Sequence, residues 1–377
     1  MKVNIVVHDF FNEIGHSKAM KEVLKNLPQE LNHIHIICYT HAPKEELFPD
    51  FRGDVSFSKV PLPRLKPFII KSLFFQFYTL FFKKSLVIPH TPIITIGVCS
   101  FIGDIVNVQF VHRLWSQLYF KVNKVSFIKY IYKKILLAYL DFSEYLYYNF
   151  KQPHLVCLSQ FIADDFKKRY NYPDHKQTVA YSSASLEEFG PTDESRLERY
   201  ETLKRSYPQL RTLDLNRPIY LFVGAYERKG LPAILESIDD NQLIIIGKAE
   251  SGSHLDLTKE NLIQIPFTKE LANFYNLCDC FIFPTLYEPF GLVVLEAAAS
   301  GASVIVTKEM VGASELLRDA DDIHFCHKLN LGNLIKERKV LSSEQRQINY
   351  QQRMNIFKQY SWQEAAQVWY QVLKKIN

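Results

Sequence analysis

What this chain lacks narrows the field before any motif is read. It has 13 glycines in 377 residues and no Gly-x-Gly-x-x-Gly, which argues against a dinucleotide fingerprint and so against a dehydrogenase. No stretch approaches eighteen uninterrupted apolar residues, so no transmembrane helix is expected. The six cysteines, Cys38, Cys99, Cys157, Cys278, Cys280 and Cys326, sit mostly in apolar strand-like runs. They read as core thiols of a reducing compartment, and Cys278-x-Cys280 is only a weak metal or redox signal. No metal-ligand cluster is visible. The opening MKVNIVVHDFF is a strand rather than a charged segment followed by a signal-peptide core, and a cytoplasmic protein is expected. Lys and Arg number 45 against 40 Asp and Glu, too small an excess to indicate nucleic acid, and none is expected as a partner.

Acidic residues are also missing locally. None occurs between Asp54 and Asp104, where Arg64, Lys66, Lys71, Lys83 and Lys84 interleave with Phe74, Phe75, Phe77, Phe81 and Phe82. From Arg113 to Asp141 the pattern returns, with Lys121, Lys124, Lys129, Lys133 and Lys134 among Trp115, Phe120, Phe127, Tyr130 and Tyr132. On exposed helices such residues suit an anionic membrane surface. On core helices they are lysines snorkelling to solvent, and the composition leaves both readings open.

What is present is a repeating strand and helix pattern with 47% hydrophobic residues, enough for two domains with sizeable cores. Val3 to Val7, His33 to Tyr39, Val55 to Val60 and Pro92 to Ile96 read as strands, with a helix over Ser17 to Leu27. A strand ending at His112 and another over His154 to Leu158 follow. Ile219 to Val223, Leu243 to Gly247 (followed by Lys248-Ala249-Glu250), Leu262 to Pro266, a run ending at Phe283 and Val304 to Thr307 continue the series. The pattern indicates open parallel sheets rather than a sandwich. Ser361 and Glu364 form a capping box for a last amphipathic helix.

The stretch from 281 to 317 organises the rest. It reads as a buried strand, a turn from Tyr287 to Gly291, and an apolar helix from Leu292 to Ala299. The amides of Phe290, Gly291 and Leu292 then stand at a helix N-terminus, where anions are favoured. Glu296 falls inside that helix, so it either pairs with a buried cation or is satisfied by donors such as sugar hydroxyls. Glu288 lies in the turn. Upstream, Gly224 permits a close turn, and Arg228 and Lys229 place two cations before a helix, a position suited to a diphosphate. His112, at the end of a strand, is either structural or a ligand contact. Gly15 is either a turn glycine or a phosphate contact.

The run YEPFGLVVLEAAASGASVIVT, with Glu288 and Glu296 spaced as Glu-x7-Glu around Pro289-Phe290-Gly291, resembles the signature of the family 4 glycosyltransferases. These are retaining enzymes of the GT-B fold. The resemblance implies two Rossmann-like domains with parallel sheets facing across a cleft. An acceptor-side domain over 1–205, a nucleotide-sugar domain over 206–358 and a helix over 359–377 crossing back to the first are expected. It implies a UDP- or GDP-linked sugar as donor, bound without a metal or cofactor. Lys229 and Arg228 would neutralise the departing diphosphate, and Glu288 would contact the sugar. Glu296 would hold the ribose, Phe267 the nucleobase through its main chain, and His112 the transferred sugar. The acceptor would be a glycan or a lipid-linked molecule in cell-surface polysaccharide or glycolipid synthesis, with peripheral attachment to the inner face of a membrane as a further expectation. The sequence departs from the family in having one glycine in the first loop and Ala225 where an arginine is frequent. A sugar-nucleotide epimerase of the same fold, or a non-catalytic membrane-associated protein, remains an alternative.

Overall fold

Short apolar runs, each followed by a helix or a long loop, pair in parallel in the computed structural model. It describes residues 1–376 except 13, 29, 64–66, 123–125, 250–254 and 328–329, and only the main chain of 121 and 122. Arg64, Lys66, Lys124, Glu250 and the side chain of Lys121 therefore lie outside the described residues. The chain divides into two compact units, Met1–Leu118 with Phe127–Ser182 and Tyr360–Asn377, and Tyr119–Ser126 with Ser183–Gln359.

The first unit holds a seven-stranded sheet of β1 (Lys2–Val6), β2 (His33–Cys38), β3 (Asp54–Lys59), β4 (Ile93–Ile96), β5 (Ile105–Val108), β6 (His154–Cys157) and β7 (Gln177–Val179). All pairs are parallel, in the order β3-β2-β1-β4-β5-β6-β7. Val3, Ile5 and Val6 of β1 are fully buried, as expected of a parallel strand covered on both faces. Its helices include α1 (Gly15–Asn26), α2 (Phe68–Phe81), most of α3 (His112–Val122), α4 (Phe127–Leu146) and α5 (Gln160–Tyr170). The strand expected to end at His112 stops at Val108, and His112 instead opens α3. Glu144 explains this: its carboxyl group accepts from the amides of His112 (2.7 Å) and Arg113 (2.9 Å), fixing a helix start there.

The second unit holds six parallel strands, β8 (Ile219–Ala225), β9 (Gln242–Lys248), β10 (Leu262–Ile265), β11 (Cys280–Phe283), β12 (Ser303–Thr307) and β13 (Ile323–Cys326), in the order β10-β9-β8-β11-β12-β13. One face packs Tyr220, Phe222, Leu243, Ile245, Ile282 and Ile305 into a single core. The helices α6 (Arg196–Ser206), α7 (Leu271–Leu277), α8 (Leu292–Ala299) and α9 (Ser343–Gln359) accompany it. Residues 183–205, which the sequence placed with the N-terminal domain, group with this unit. Arg196 reaches the buried Asp279 (2.7 Å), whose carboxylate also takes the amides of Ile219 and Leu341. The last helix, α10 (Trp362–Ile376), belongs to the first unit: Lys375 donates to the His175 carbonyl (3.3 Å), and the Tyr370 hydroxyl bonds Glu30. All six cysteines are buried free thiols. Among the described residues no helix is long and apolar enough to cross a membrane.

Candidate functional site

The strand order of the second unit reverses between β8 and β11, which places the loops after these two neighbours side by side at the carboxyl edge of the sheet, the edge where open α/β sheets bind ligands. Both loops carry predicted site residues. They are tied together through Arg228, whose carbonyl accepts from Thr285 Oγ1 (3.1 Å) and the Leu286 amide (3.2 Å). The Arg228 guanidinium donates to the Tyr287 carbonyl (3.1 Å) and to Glu288 Oε2 (2.9 Å). Lys229 Nζ stands 3.6 Å from the same carboxylate oxygen and 5.1 Å from the centre of the Phe283 ring.

Glycine makes room for this arrangement. Gly224 has φ +137°, and a Cβ there would lie 2.2 Å from Lys229 Cδ, so the lysine stem rests directly on the bare backbone. At the other loop Gly291, with φ +94°, is the N-cap of α8, and a Cβ on it would lie 3.2 Å from Glu288 Cγ. Lys229 and the start of α8 therefore flank one carboxylate, on one side of the unit. The Leu292 amide opens the helix, and the first amide bonded within it is that of Val294, to the Gly291 carbonyl (2.9 Å). Phe290 is buried, its carbonyl taking the Ala313 amide (2.8 Å).

The electrostatics follow from this crowding. Burial pushes the Glu288 carboxyl up, but Lys229 and Arg228 together outweigh it and hold it below the ordinary Glu value. Burial lowers Lys229 against the pull of Glu288, and Arg228 lowers it further. Two cations meet the Glu288 carboxylate beside a helix N-terminus, with the Glu296 carboxyl also acting on Lys229, and the helix start there suits an anion.

Glu296 is buried in α8 and accepts from the Tyr275 hydroxyl (3.2 Å). Two arginines at the far end of that helix donate to main-chain carbonyls, the half-buried Arg346 to those of Tyr275 and Ser300, and the buried Arg353 to those of Ala298 and Ala302. Phe267, after β10, is exposed, and the neighbouring Thr268 fixes its loop through Tyr207 (2.6 Å) and the Glu270 amide (2.9 Å).

In the first unit His112 stands at the N-terminus of α3, and burial, aided by His8, lowers its pKa to about 4. It is a neutral imidazole at physiological pH. Gly15 begins α1 with open space before it and no positive φ, so the fold itself places no close approach there. Sequence reasoning missed several groups. Glu144 gave no local signal, because its partners lie on another helix. His8 follows β1 much as His112 follows β5, which was a usable sign; burial lowers its pKa to about 4 as well. His8 Nε2, His16 Nε2 and Ser17 Oγ are buried and make no hydrogen bond within the protein. A cavity of about 510 Å³ between α1 and residues 46–53 includes none of the predicted residues. Among the described residues no three His, Cys, Asp or Glu side chains gather to hold a metal ion.

The two parallel units have the GT-B fold. The solved structure of WaaG, a glycosyltransferase involved in lipopolysaccharide biosynthesis, matches with a TM-score of 0.70 at 13% identity over 98% of this chain and 99% of that one. HepE of Anabaena, solved with UDP and glucose, matches with a TM-score of 0.65 at 12% identity over 100% of both chains. Residues 204–354 match the model of the family described as glycosyl transferases group 1. A curated relative, the lipopolysaccharide 1,2-N-acetylglucosaminetransferase of Salmonella typhimurium, is 28% identical over 170 residues, 44% of this chain and 42% of the relative. The chain spans less than half the length of the curated relatives it matches first.

Proposed function

We propose that the protein is a glycosyltransferase that moves a hexose-type sugar, with retention, from a UDP- or GDP-linked donor to a glycan or lipid-linked acceptor in cell-surface polysaccharide or glycolipid synthesis. The observation that carries this reading is the meeting of Arg228 and Lys229 at Glu288, beside the start of α8 and at the strand-order reversal. A cation pair next to helix amides stabilises the charge that develops on a departing diphosphate, the kind of preorganised electrostatics that lowers a barrier most. Glu288 holds the cation pair together and, in this proposal, contacts the donor sugar, while Glu296 and the Phe267 segment take the ribose and base. His112, neutral at working pH, donates or accepts a single hydrogen bond to a sugar hydroxyl. The unpaired polar atoms of His8, His16 and Ser17 suit hydroxyls of the acceptor. The Salmonella relative's activity and the UDP held by HepE support the donor class. The six free thiols suit a reducing, cytoplasmic setting.

Incubating the chain with UDP-, GDP- and ADP-sugars and following both thermal shift and release of nucleoside diphosphate tests the proposal. One donor is expected to raise the melting temperature and turn over, unchanged by EDTA, since the leaving group is neutralised by side chains. Release of a free epimerised sugar nucleotide without any transfer, or no binding of any nucleotide, would overturn it.

A further inference from the structure

Three arginines gather at the amino edge of the second sheet, the edge opposite the one that carries Arg228, Lys229 and Glu288. Arg196 and Arg199 lie three positions apart on α6 and so share a face of that helix, and Arg346 lies one turn into α9. The anchor is Asp279, which directly precedes β11 and takes Arg196 (2.7 Å). Arg199 donates to Asn273 Oδ1 (3.0 Å) and to the Thr192 hydroxyl, and Arg346 to the carbonyls of Tyr275, Ser300 and Cys278. All three arginines line one cavity of about 60 Å³, with Ser343, Gln347 and Asn276 also on its wall.

These bonds leave donors and charge over. Arg196 Nε is buried and makes no hydrogen bond within the protein, a condition that in folded proteins signals a water or an ion. Among the described residues on the wall the only acid is Glu194, which is exposed and stands 3.2 Å from Arg199. Desolvation lowers the Arg346 pKa, and Arg196 and Arg199 lower it further, against Cys278 and Asp279. Cations drawn this close repel one another strongly where water is scarce. The start of α9 adds to the repulsion: the helix is 17 residues long, and its positive end opens at Ser343 on the same wall.

Size and charge together define the ligand. Pockets for drug-sized molecules begin at roughly 300 Å³, so the cavity excludes a nucleoside, while about 60 Å³ accommodates several waters and hence a tetrahedral oxyanion. Guanidinium forks match phosphate oxygens in pairs. We propose that the cavity between α6 and α9 is a second anion site that takes one phosphoryl group, as inorganic phosphate or as the end of a phosphomonoester. Arg196 Nε gains an acceptor there, and a phosphate oxygen competes with Glu194 for Arg199. The site stands at the other edge of the sheet from the proposed donor site and does not depend on the transfer reaction.

The test is equilibrium dialysis of the full chain against radiolabelled inorganic phosphate, in a Lys229→Met background that removes a cation from the donor site. This protein is expected to keep one phosphate per chain. Ser343→Asp and Gln347→Glu each add a carboxylate to the cavity wall at an exposed position, and an acid at Ser343 suits a helix start. Each should weaken phosphate binding about 10-fold or more through like-charge repulsion, with the melting temperature in phosphate-free buffer unchanged or raised. Displacement of the label by glycerol 3-phosphate assigns the site to a phosphomonoester, and retention assigns it to inorganic phosphate. No phosphate held by Lys229→Met at millimolar concentration would overturn the inference. Binding that neither acidic variant weakens would do the same.

Discussion

Replacing Lys229 with methionine keeps the stem that rests on Gly224 and the Phe283 ring and removes only the ammonium group. The cluster then loses one positive charge, with Arg228 still 2.9 Å from Glu288. In the ground state little is lost, because the Lys229 to Glu288 contact is long at 3.6 Å. The expected stability cost is about 1 kcal/mol or less, a shift of roughly 2–4 °C in Tm. In the transition state the loss is larger, since charge builds on the leaving diphosphate where the ammonium stood. One preorganised donor at such a position is worth about 3 kcal/mol, so kcat should fall about 100- to 1000-fold. The assay is nucleoside diphosphate release at saturating donor, with a thermal melt of the same preparation alongside. Turnover within about three-fold of the parent, roughly 0.6 kcal/mol in barrier, would refute the assignment of Lys229 to the leaving group.

Glu288→Ala should separate binding from transfer: two cations lose their counter-ion, so the free nucleoside diphosphate binds at least as tightly by calorimetry while transfer drops about 100-fold. Because the Glu288 pKa is depressed in the folded state, its stabilising contribution is present above its unfolded value, about 4.3, and is lost as pH falls through the folded value. The parent, but not this variant, should therefore lose that increment of urea stability on acidification. Gly224→Ala forces a side chain onto φ +137° and into the Lys229 stem. It should cost about 1–3 kcal/mol in a urea titration, and displacing the ammonium should lower turnover up to about 100-fold. Glu144→Gln addresses the first unit, where burial raises the Glu144 carboxyl to about 8 despite the His112 and Arg113 amides. A raised carboxyl gives stability that is complete below its unfolded value and is lost as pH rises through about 8. The glutamine variant should flatten urea midpoints across that window, and an unchanged slope would contradict the reading.

Much of the molecule was legible because its signals are local. The helix from Leu292 to Ala299 occupies the expected residues, since Gly291 and the apolar run that follows act within one turn of chain. Strands such as Ile219–Ala225 and Leu262–Ile265 announced themselves by short apolar runs between turns. The expectation at 105–112 failed where a distant group intervened, Glu144 drawing His112 into a helix start from more than thirty positions away.

The sequence by itself determined the alternation of strands and helices, the glycine at the start of α8, and the presence of two adjacent cations and two acids. Tertiary structure alone decided which of them meet. Arg228 and Glu288 lie sixty residues apart and touch because β8 and β11 are neighbours where the strand order turns back. Which face of α4 points outward was likewise undecidable from periodicity, which gives the width of an apolar stripe but not the side on which the rest of the protein lies.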